Sequence, residues 1–221
     1  AAKLAGLEVL RLVSEPTAAA LAYGLDSGAE GIYVIYDLGG GTFDVSVLKL
    51  EKGVFQVLAT GGDTALGGDD IDRAIVSHLV CRELALEDRA QWLLAARVLK
   101  EQLSLQERAE VKIDNHTYQL SRAELEKIAM PLLARTVEIS RRVLEDARVS
   151  QKDIREVVLV GGSTRMPLVK ENIARFFGKK ALDEVNPDLV VAFGAAHQAQ
   201  ALTEGSDALL LDVTPLSLGL E

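Results

Sequence analysis

The sequence predicts an α/β fold with a helical insertion, and three observations lead to this prediction. Apolar runs near 32–37, 43–50 and 54–61 are separated by turns, a pattern typical of a meander of buried strands. Helical periodicity then dominates from about residue 69 to residue 150. The apolar run Glu156–Val160 follows, and it predicts that the chain returns to a sheet-based unit.

The elements that flank the meander follow from local signals. Leu7–Leu12 is predicted as a strand, and Pro16–Tyr23 as an alanine-rich helix with proline at its start. After the meander, helices are predicted from about Asp69 to Leu84 and from about Asp88 to Ser104.

A hairpin and three helices account for most of the second half of the chain. Alternation over Ala109–Asp114 and Thr117–Leu120 predicts two short strands around Asn115-His116. Ser121-Arg122-Ala123-Glu124 is a capping box, which predicts a helix to about Arg148. The other two helices are predicted over about 166–177 and 187–203.

These elements predict a division of the chain into subdomains. Residues 1–68 and 151–205 form a sheet-based subdomain, and residues 69–150 form a helical α+β subdomain inserted into it. The apolar run Leu209-Leu210-Leu211 stands apart, within residues 206–221, and is explained equally by an edge strand, a frayed tail or a linker.

Composition and charge exclude several classes of partner. The chain has 221 residues, of which 48% are hydrophobic, enough for one or two compact units with a core. The net charge of −9 argues against nucleic acid and against an anionic membrane surface. No apolar run reaches membrane-spanning length. The single cysteine, Cys81, rules out an internal disulfide and fits a reducing cytoplasm.

The segment Asp37-Leu38-Gly39-Gly40-Gly41-Thr42-Phe43-Asp44 carries the strongest chemical signal. Three glycines between two strands allow positive φ and close approach of a ligand to the backbone. Successive N–H groups in such a turn form a nest for phosphate oxygens. The flanking Asp37 and Asp44 can hold the water shell of Mg²⁺ or orient an attacking water. The pattern indicates phosphoryl transfer or hydrolysis, although a glycine turn by itself is explained equally well as only a turn.

A second glycine turn follows the strand at Val157–Val160. It reads Gly161-Gly162-Ser163-Thr164-Arg165, and Ser163 or Thr164 is predicted to cap a helix that begins near Arg165, with Pro167 in its first turn. A helix start of this kind offers free N–H groups and a positive dipole end to an anion or a ribose–phosphate. Two strand–glycine elements far apart in the chain are more specific than either alone.

Together these motifs resemble the nucleotide-binding domain of DnaK-type heat-shock chaperones. Other stretches that carry the resemblance are Glu15-Pro16-Thr17-Ala18-Ala19-Ala20, Gly67-Gly68-Asp69-Asp70-Ile71-Asp72, Asn186-Pro187-Asp188, Gly194-Ala195-Ala196 and Leu211-Asp212-Val213-Thr214-Pro215-Leu216-Ser217-Leu218-Gly219. The resemblance covers nearly the whole chain and implies an actin-like ATPase lobe, with a ribonuclease H-like sheet and an inserted α+β subdomain. The short segment between Asp72 and Ser104 is more similar to the branch of the family that serves iron–sulfur cluster assembly.

The resemblance implies a catalytic role for four side chains, namely Glu15, Asp37, Thr42 and Asp44. Asp37 would hold Mg²⁺ through water, and the other three would help to orient the attacking water. Taken without the resemblance, Glu15 is also explained as a carboxylate favoured by the dipole of the helix it begins.

The resemblance also implies contacts with ATP or ADP. On the phosphate side these fall to Gly39, Gly40, Gly41 and Thr42, with Gly67 and Gly68 near the ribose and β-phosphate. On the adenosine side they fall to Gly161, Gly162, Ser163, Arg165, Asp188, Lys100 and Ser104. Arg165 would stack its guanidinium plane near the adenine.

One departure from the family pattern concerns the helix that faces adenosine. Family members usually carry Glu-x-x-Lys-Arg-x-x-Ser there, and the matching residues here are Arg97, Lys100, Glu101 and Ser104. Loss of the arginine removes a planar face of the adenine clamp, worth about 0.5–2 kcal/mol if the contact is of cation–π type. This predicts faster nucleotide release than in a general DnaK-type chaperone.

Larger expectations follow from the family as well. A first lobe, with its own phosphate loop and catalytic lysine, would precede Ala1, so the piece alone would bind Mg-ATP weakly and be inactive. Leu209-Leu210-Leu211-Asp212 would be the linker to a peptide-binding domain, with residues 206–221 covering the linker and the start of that domain. The implied partners are a J-domain co-chaperone and a client peptide or iron–sulfur scaffold protein.

Three other functions stay open from the sequence. A general folding chaperone of the same family would share every motif. A small-molecule kinase of the actin and sugar-kinase superfamily uses the same two-turn plan, and only the chaperone-specific motifs argue against it. A non-hydrolysing binding or filament module would not need Glu15, Asp37, Thr42 and Asp44 together.

Overall fold

The computed structural model describes residues 2–23, 30–52, 54–80, 86–182, 185–204 and 209–211. The strands are β1 (Gly31–Leu38), β2 (Phe43–Glu51), β3 (Val54–Asp63), β4 (Arg108–Ile113), β5 (His116–Ser121), β6 (Ile154–Val160) and β7 (Leu209–Leu211). The α-helices are α1 (Glu15–Ala22), α2 (Gly68–Leu79), α3 (Leu86–Leu103), α4 (Arg122–Asp146), α5 (Pro167–Phe177) and α6 (Val190–Glu204). The predicted α/β class with a mixed sheet is confirmed.

Five strands form the main sheet in the order β6-β1-β2-β3-β7. The meander β1-β2-β3 is antiparallel, as predicted, while β6 pairs parallel to β1 on one side. On the other side β7 pairs parallel to β3, with Val54 opposite Leu209 and Gln56 opposite Leu211. The apolar run near the end of the chain is therefore an edge strand, and Asp212–Gly219 lie outside the described residues.

Each face of this sheet is covered by helices, because its strands carry apolar side chains on both sides. Alternate residues of β1 divide between the two cores. Val34, Tyr36 and Leu38 belong to the core shared with α4 and α5, whereas Tyr33 and Ile35 belong to the core shared with α1 and α6. This alternation also places Asp37 on the α1 and α6 side of the sheet, at the end of β1.

The insertion contains the helices α2, α3 and α4 and the hairpin β4-β5. The hairpin register joins Ile113 to His116, so Asp114 and Asn115 form its two-residue turn. Asp114 takes a φ of +53°, a conformation that aspartate tolerates in such turns. The predicted capping box of α4 is confirmed, since the Ser121 amide donates to Glu124 at 2.8 Å and the Glu124 amide donates to the Ser121 hydroxyl at 3.3 Å.

Two predicted elements differ from the structure. Leu7–Leu12 forms no strand with any other described segment, and the Leu7 and Leu12 side chains are 63% and 88% exposed. A strand requires a neighbour for its backbone hydrogen bonds, which the apolar alternation alone does not supply. Helix α2 ends at Leu79 because Val80 is already extended, at φ −117° and ψ 111°. The rest of its predicted length, including Cys81, lies outside the described residues.

Membrane insertion through a helix finds no support in the described ranges. None of the helices there combines the length and the apolar character that a membrane span requires.

Candidate functional site

The first glycine turn joins β1 to β2, and Asp37 and Asp44 face each other across it as the penultimate residue pair. The Gly39 amide donates to the Thr42 carbonyl at 3.0 Å and closes the turn. None of its three glycines has φ in the left-handed region, so the turn does not use the positive φ that glycine allows. A Cβ at Gly41 would meet no atom within 4 Å. Neither conformation nor packing within the described residues requires glycine at that position.

The start of α2 packs directly on this turn. The Gly68 amide donates to the Gly39 carbonyl at 3.0 Å, and the Asp69 amide donates to the Gly40 carbonyl at 2.7 Å. Both carbonyls are thereby occupied, whereas within the described residues the amides of Gly40 and Gly41 make no hydrogen bond. The turn therefore has two amide donors that no described group occupies, and unoccupied backbone donors are what an anion requires.

Gly67 is required by this packing. A Cβ at Gly67 would lie 2.4 Å from the Gly40 carbonyl oxygen and 2.8 Å from the Gly41 nitrogen. Any larger residue would push α2 away from the turn, because the clash is with backbone atoms that cannot rotate away.

The second glycine turn also lies against the first. Gly161 has a φ of +85°, and a Cβ there would lie 2.4 Å from the Leu38 carbonyl oxygen and 2.6 Å from Asp37 Oδ1. Both the conformation and the close approach therefore require glycine. The Ser163 hydroxyl donates to the Gly39 carbonyl at 2.9 Å and joins the two turns across 124 positions of sequence.

The predicted capping by Ser163 or Thr164 is wrong. Residues 162–165 form a single turn of 3-10 helix, and α5 begins only at Pro167, after Met166 at the N-cap position without a side-chain hydrogen bond. The Thr164 hydroxyl instead donates to the Gly161 carbonyl at 2.6 Å. Proline at the first position of α5 is confirmed.

Three carboxylates gather at the end of β1, the start of β2 and the start of α1. Burial, together with the negative charges of Glu15 and Asp44, raises the pKa of Asp37 to about 6. Burial and Glu15 also raise the pKa of Asp44, although the Thr42 hydroxyl lowers it through a hydrogen bond. Negative charge concentrated in this way favours the binding of a cation.

A direct metal cage is not formed by these carboxylates. Nowhere in the described ranges do three or more His, Cys, Asp or Glu side chains come close enough to ligate one ion. The arrangement fits the predicted indirect hold, in which carboxylates bind the water shell of Mg²⁺, because Mg²⁺ keeps several waters in most protein sites.

A cleft of about 770 Å³ opens on the other side of the glycine turn, between α3 and the β6-α5 connection. Its lining includes predicted contact residues from both sides of the nucleotide, namely Gly40, Gly68, Lys100, Ser104, Gly162, Ser163, Arg165 and Asp188. Sequence reasoning missed Asp69, Leu105, Met166 and Lys170, which also line it. Leu105, Met166 and Lys170 stand in none of the quoted motifs. Asp69 stands in the motif of residues 67–72, from which only the two glycines were assigned a ligand contact.

The α3 wall of the cleft is held by ion pairs, of which the Lys100–Asp72 pair is buried. The Lys100 ammonium donates to the Gly68 carbonyl at 2.8 Å and lies 2.8 Å from Asp72 Oδ1. Arg97 donates to Asp69 at 2.7 Å and lies 3.5 Å from Asp72 Oδ2. Burial raises the pKa of Asp72, and the nearby Lys100 opposes this effect. Lys100 therefore fixes the start of α2 as well as lining the cleft.

The opposite wall holds Arg165 in a fixed orientation. Its Nη2 donates to Asn186 Oδ1 at 2.8 Å and to Asp188 Oδ2 at 2.6 Å. The Asp188 amide in turn donates to the Asn186 side chain at 3.0 Å. Two acceptors on one guanidinium orient its plane, and this leaves its face available for a flat ligand.

The comparisons with known proteins agree with this fold and with the pair of glycine turns. The chain belongs to the Hsp70 family, because the family model described as Hsp70 protein matches residues 1–221.

Similar curated proteins narrow the match within that family. The chain is 54% identical over 234 residues to a "Chaperone protein HscA homolog" of Bordetella pertussis, covering 100% of this chain and 38% of that protein. It is 53% identical to the homolog of Methylibium petroleiphilum and 53% identical to the "Chaperone protein HscA" of Photorhabdus laumondii. The resemblance stated from the motifs is confirmed. The chain spans 38% of the length of the Bordetella relative.

Proposed function

We propose that this chain forms one wall of the ATP- and ADP-binding site of an Hsp70-type chaperone, and that this site hydrolyses ATP. The observation that carries the proposal is the glycine turn at residues 39–42. The carbonyls of Gly39 and Gly40 accept hydrogen bonds from α2, and the amides of Gly40 and Gly41 make none within the described residues. The turn lies beside a carboxylate cluster and a large cleft. This is the arrangement that a phosphate chain, a hydrated cation and an adenosine group need together.

The phosphate side is assigned to backbone groups of two segments. Gly39, Gly40, Gly41 and Thr42 would contact the β- and γ-phosphates, and Gly67 and Gly68 would lie near the ribose and β-phosphate. Amides suit this role in an acidic protein, because they attract phosphate without adding positive side chains.

The adenosine side is assigned to the cleft. Arg165 would stack on the base, while Lys100, Ser104 and Asp188 would contact the ribose and base edges, with Gly161, Gly162 and Ser163 forming the floor. The hydrogen bonds of Arg165 to Asn186 and Asp188 support this assignment, since they preorganise the guanidinium before any ligand arrives.

Hydrolysis is assigned to four residues around the end of β1. Bound Mg²⁺ would neutralise charge that develops on the phosphates. Asp37 would hold the water shell of the ion, and Glu15, Thr42 and Asp44 would orient the attacking water. The raised pKa of Asp37 supports this role. Burial and the neighbouring carboxylates disfavour its ionised form, and a bound cation would stabilise that form.

The activity of the longer protein is proposed from the same family. A first lobe would supply the other wall of the site, so the piece alone would be inactive. Residues 1–68 with 151–205 would be the sheet-based subdomain, and residues 69–150 the insertion. Residues 206–221 would be the linker and the start of a peptide-binding domain. ATP hydrolysis would control how tightly the longer protein binds its client peptide. A J-domain co-chaperone would be its partner, and the protein would act in the cytoplasm. The relatives are named HscA, and we assign to the longer protein the role in iron–sulfur cluster assembly that the resemblance implies, rather than general folding.

Steady-state ATPase assays of the full-length protein test this function. We expect a peptide from an iron–sulfur scaffold protein to stimulate hydrolysis several-fold, because client binding is coupled to the nucleotide state. Stimulation by unrelated unfolded peptides alone would indicate a general folding chaperone. If no hydrolysis occurs under either condition, the roles given to Glu15, Asp37, Thr42 and Asp44 are wrong.

Glu101→Arg is expected to slow ADP release about twofold to thirtyfold. The substitution adds a second guanidinium to the cleft that Glu101 lines, and a stacked or cation–π contact is worth about 0.5–2 kcal/mol. Stopped-flow measurement of a fluorescent ADP analogue gives the rate directly. The matched control is Glu171→Arg, which adds the same charge at an exposed position of α5 that does not line the cleft. Equal off-rates for the Glu101 variant and the unaltered protein would contradict the prediction.

A further inference from the structure

Leu105 is an exposed apolar residue at the mouth of the cleft. It follows α3 by two residues, its side chain lines the cleft, and it is 89% exposed. A leucine exposed to this extent costs free energy in water, at about 25 cal/mol per Å² of apolar surface. Single exposed leucines on a surface need no explanation, but this one borders a ligand-sized cavity.

The backbone around Leu105 is well fixed. The Leu105 amide donates to the Gln102 carbonyl at 2.9 Å, and the Ser104 amide donates to the Lys100 carbonyl at 3.2 Å. The Ser104 hydroxyl adds a bond to the same Lys100 carbonyl at 3.1 Å. The Cα of Leu105 is therefore held at a defined place, on the end of a hydrogen-bonded helical turn.

The rest of the cleft lining offers little apolar surface. Its α3 wall carries Arg97, Lys100 and Glu101, and its other wall carries Arg165 and Asp188. Among the described lining residues only Leu105 and Met166 are large and apolar, and Met166 is 3% exposed. A planar heteroaromatic ring needs apolar contact on its faces as well as hydrogen bonds at its edge. Leu105 is the accessible residue that can provide it.

We propose that Leu105 is a ligand-contact residue that packs on the nucleotide base. The Arg165 guanidinium stacks on the base from the other wall. Leu105 shields the base from water on the α3 side, where Glu101 offers no planar face. This inference rests on the proposed nucleotide site and assigns a base contact within it. The phosphates bind elsewhere, at the glycine turn, so Leu105 has no influence on them.

Binding of two probes to the full-length protein separates these contributions. We expect Leu105→Ser to weaken ADP binding about fivefold, because an apolar contact of the base is lost. Inorganic pyrophosphate, which has no base, is expected to bind within about twofold of its affinity for the unaltered protein. Leu105→Met is expected to restore ADP affinity, since it keeps an apolar side chain of similar size. Isothermal titration of each variant, with thermal unfolding as a check on folding, gives these values.

The matched control is Leu94→Ser on α3. Leu94 is 64% exposed and does not line the cleft, so its replacement is expected to leave the affinity for ADP unchanged. The inference is overturned if Leu105→Ser leaves ADP affinity unchanged, or if it weakens ADP and pyrophosphate by the same factor. If the unaltered protein binds neither probe, the proposed nucleotide site is itself wrong and the role of Leu105 falls with it.

Discussion

Asp37→Asn is expected to lower the ATP turnover of the full-length protein at least 100-fold while making the nucleotide-free protein more stable at neutral pH. Turnover falls because the amide carries no charge with which to hold the water shell of Mg²⁺ beside the glycine turn. Asn is nearly the same size as Asp, so the close packing of Gly161 against this side chain is preserved.

The gain in stability follows from the pKa of Asp37. Burial, and then the charges of Glu15 and Asp44, raise this pKa from its ordinary value of 3.8 to about 6. The native state therefore binds the proton more tightly than the unfolded state, and its stability falls as the pH rises from about 4 to about 6. Allowing for the partial exposure of the side chain, the cost at pH 7 is on the order of 2 kcal/mol.

Urea unfolding of the metal-free protein at several pH values checks this prediction. The variant is expected to be more stable than the unaltered protein at pH 7, and the difference is expected to vanish below about pH 4. Glu171→Gln, which removes an exposed carboxylate of α5 outside the site, is the control and is expected to change neither turnover nor stability. Turnover within about threefold of the unaltered protein would show that Asp37 does not hold the ion.

Gly194→Ala is expected to destabilise the protein by about 3 kcal/mol. A Cβ at Gly194 would lie 1.7 Å from the Ala18 carbonyl oxygen and 2.4 Å from its carbonyl carbon, so α6 and α1 must separate. Alanine improves helix propensity by about 1 kcal/mol, but overpacking against backbone atoms outweighs that gain. Because α1 also begins with Glu15, its displacement is expected to lower ATP turnover as well.

Chemical denaturation of the two forms measures the change in the free energy of unfolding. Gly41→Ala is the matched control for stability, since a Cβ there meets no atom within 4 Å and φ lies outside the left-handed region. Its stability is expected to stay within about 0.5 kcal/mol of the unaltered protein. An unchanged denaturation midpoint for Gly194→Ala would show that α1 and α6 do not pack as closely as the structure indicates.

Local sequence signals were sufficient for most of the elements. Apolar alternation located β1, β2, β3 and β6 to within about two residues, and the capping box at Ser121 and Glu124 located the start of α4. These signals work because each element must satisfy its own backbone and bury one face wherever it lies. The strand predicted at Leu7–Leu12 is wrong, because pairing depends on a neighbour that the local pattern cannot specify.

The candidate site divides in the same manner. The two glycine turns, the carboxylates beside them and Arg165 stood out in the sequence, because few residue types permit close backbone approach or carry the charges that phosphate chemistry needs. The hydroxyls of Ser163 and Thr164 were assigned to the wrong partners. The two hydroxyls donate instead to the carbonyls of Gly39 and Gly161, because the 3-10 turn at residues 162–165 places the hydroxyls beside these acceptors.

The sequence by itself determined the α/β class, the family and the residue types of the site, since these depend on local periodicity and on motifs with fixed spacing. Only the tertiary structure decided that α2 donates hydrogen bonds to the first glycine turn, that Lys100 supports α2, and that Leu105 borders the cleft. The physical reason is that these properties arise from contacts between segments far apart in the chain. Such contacts depend on the packing of the whole core, which no single stretch of sequence can predict.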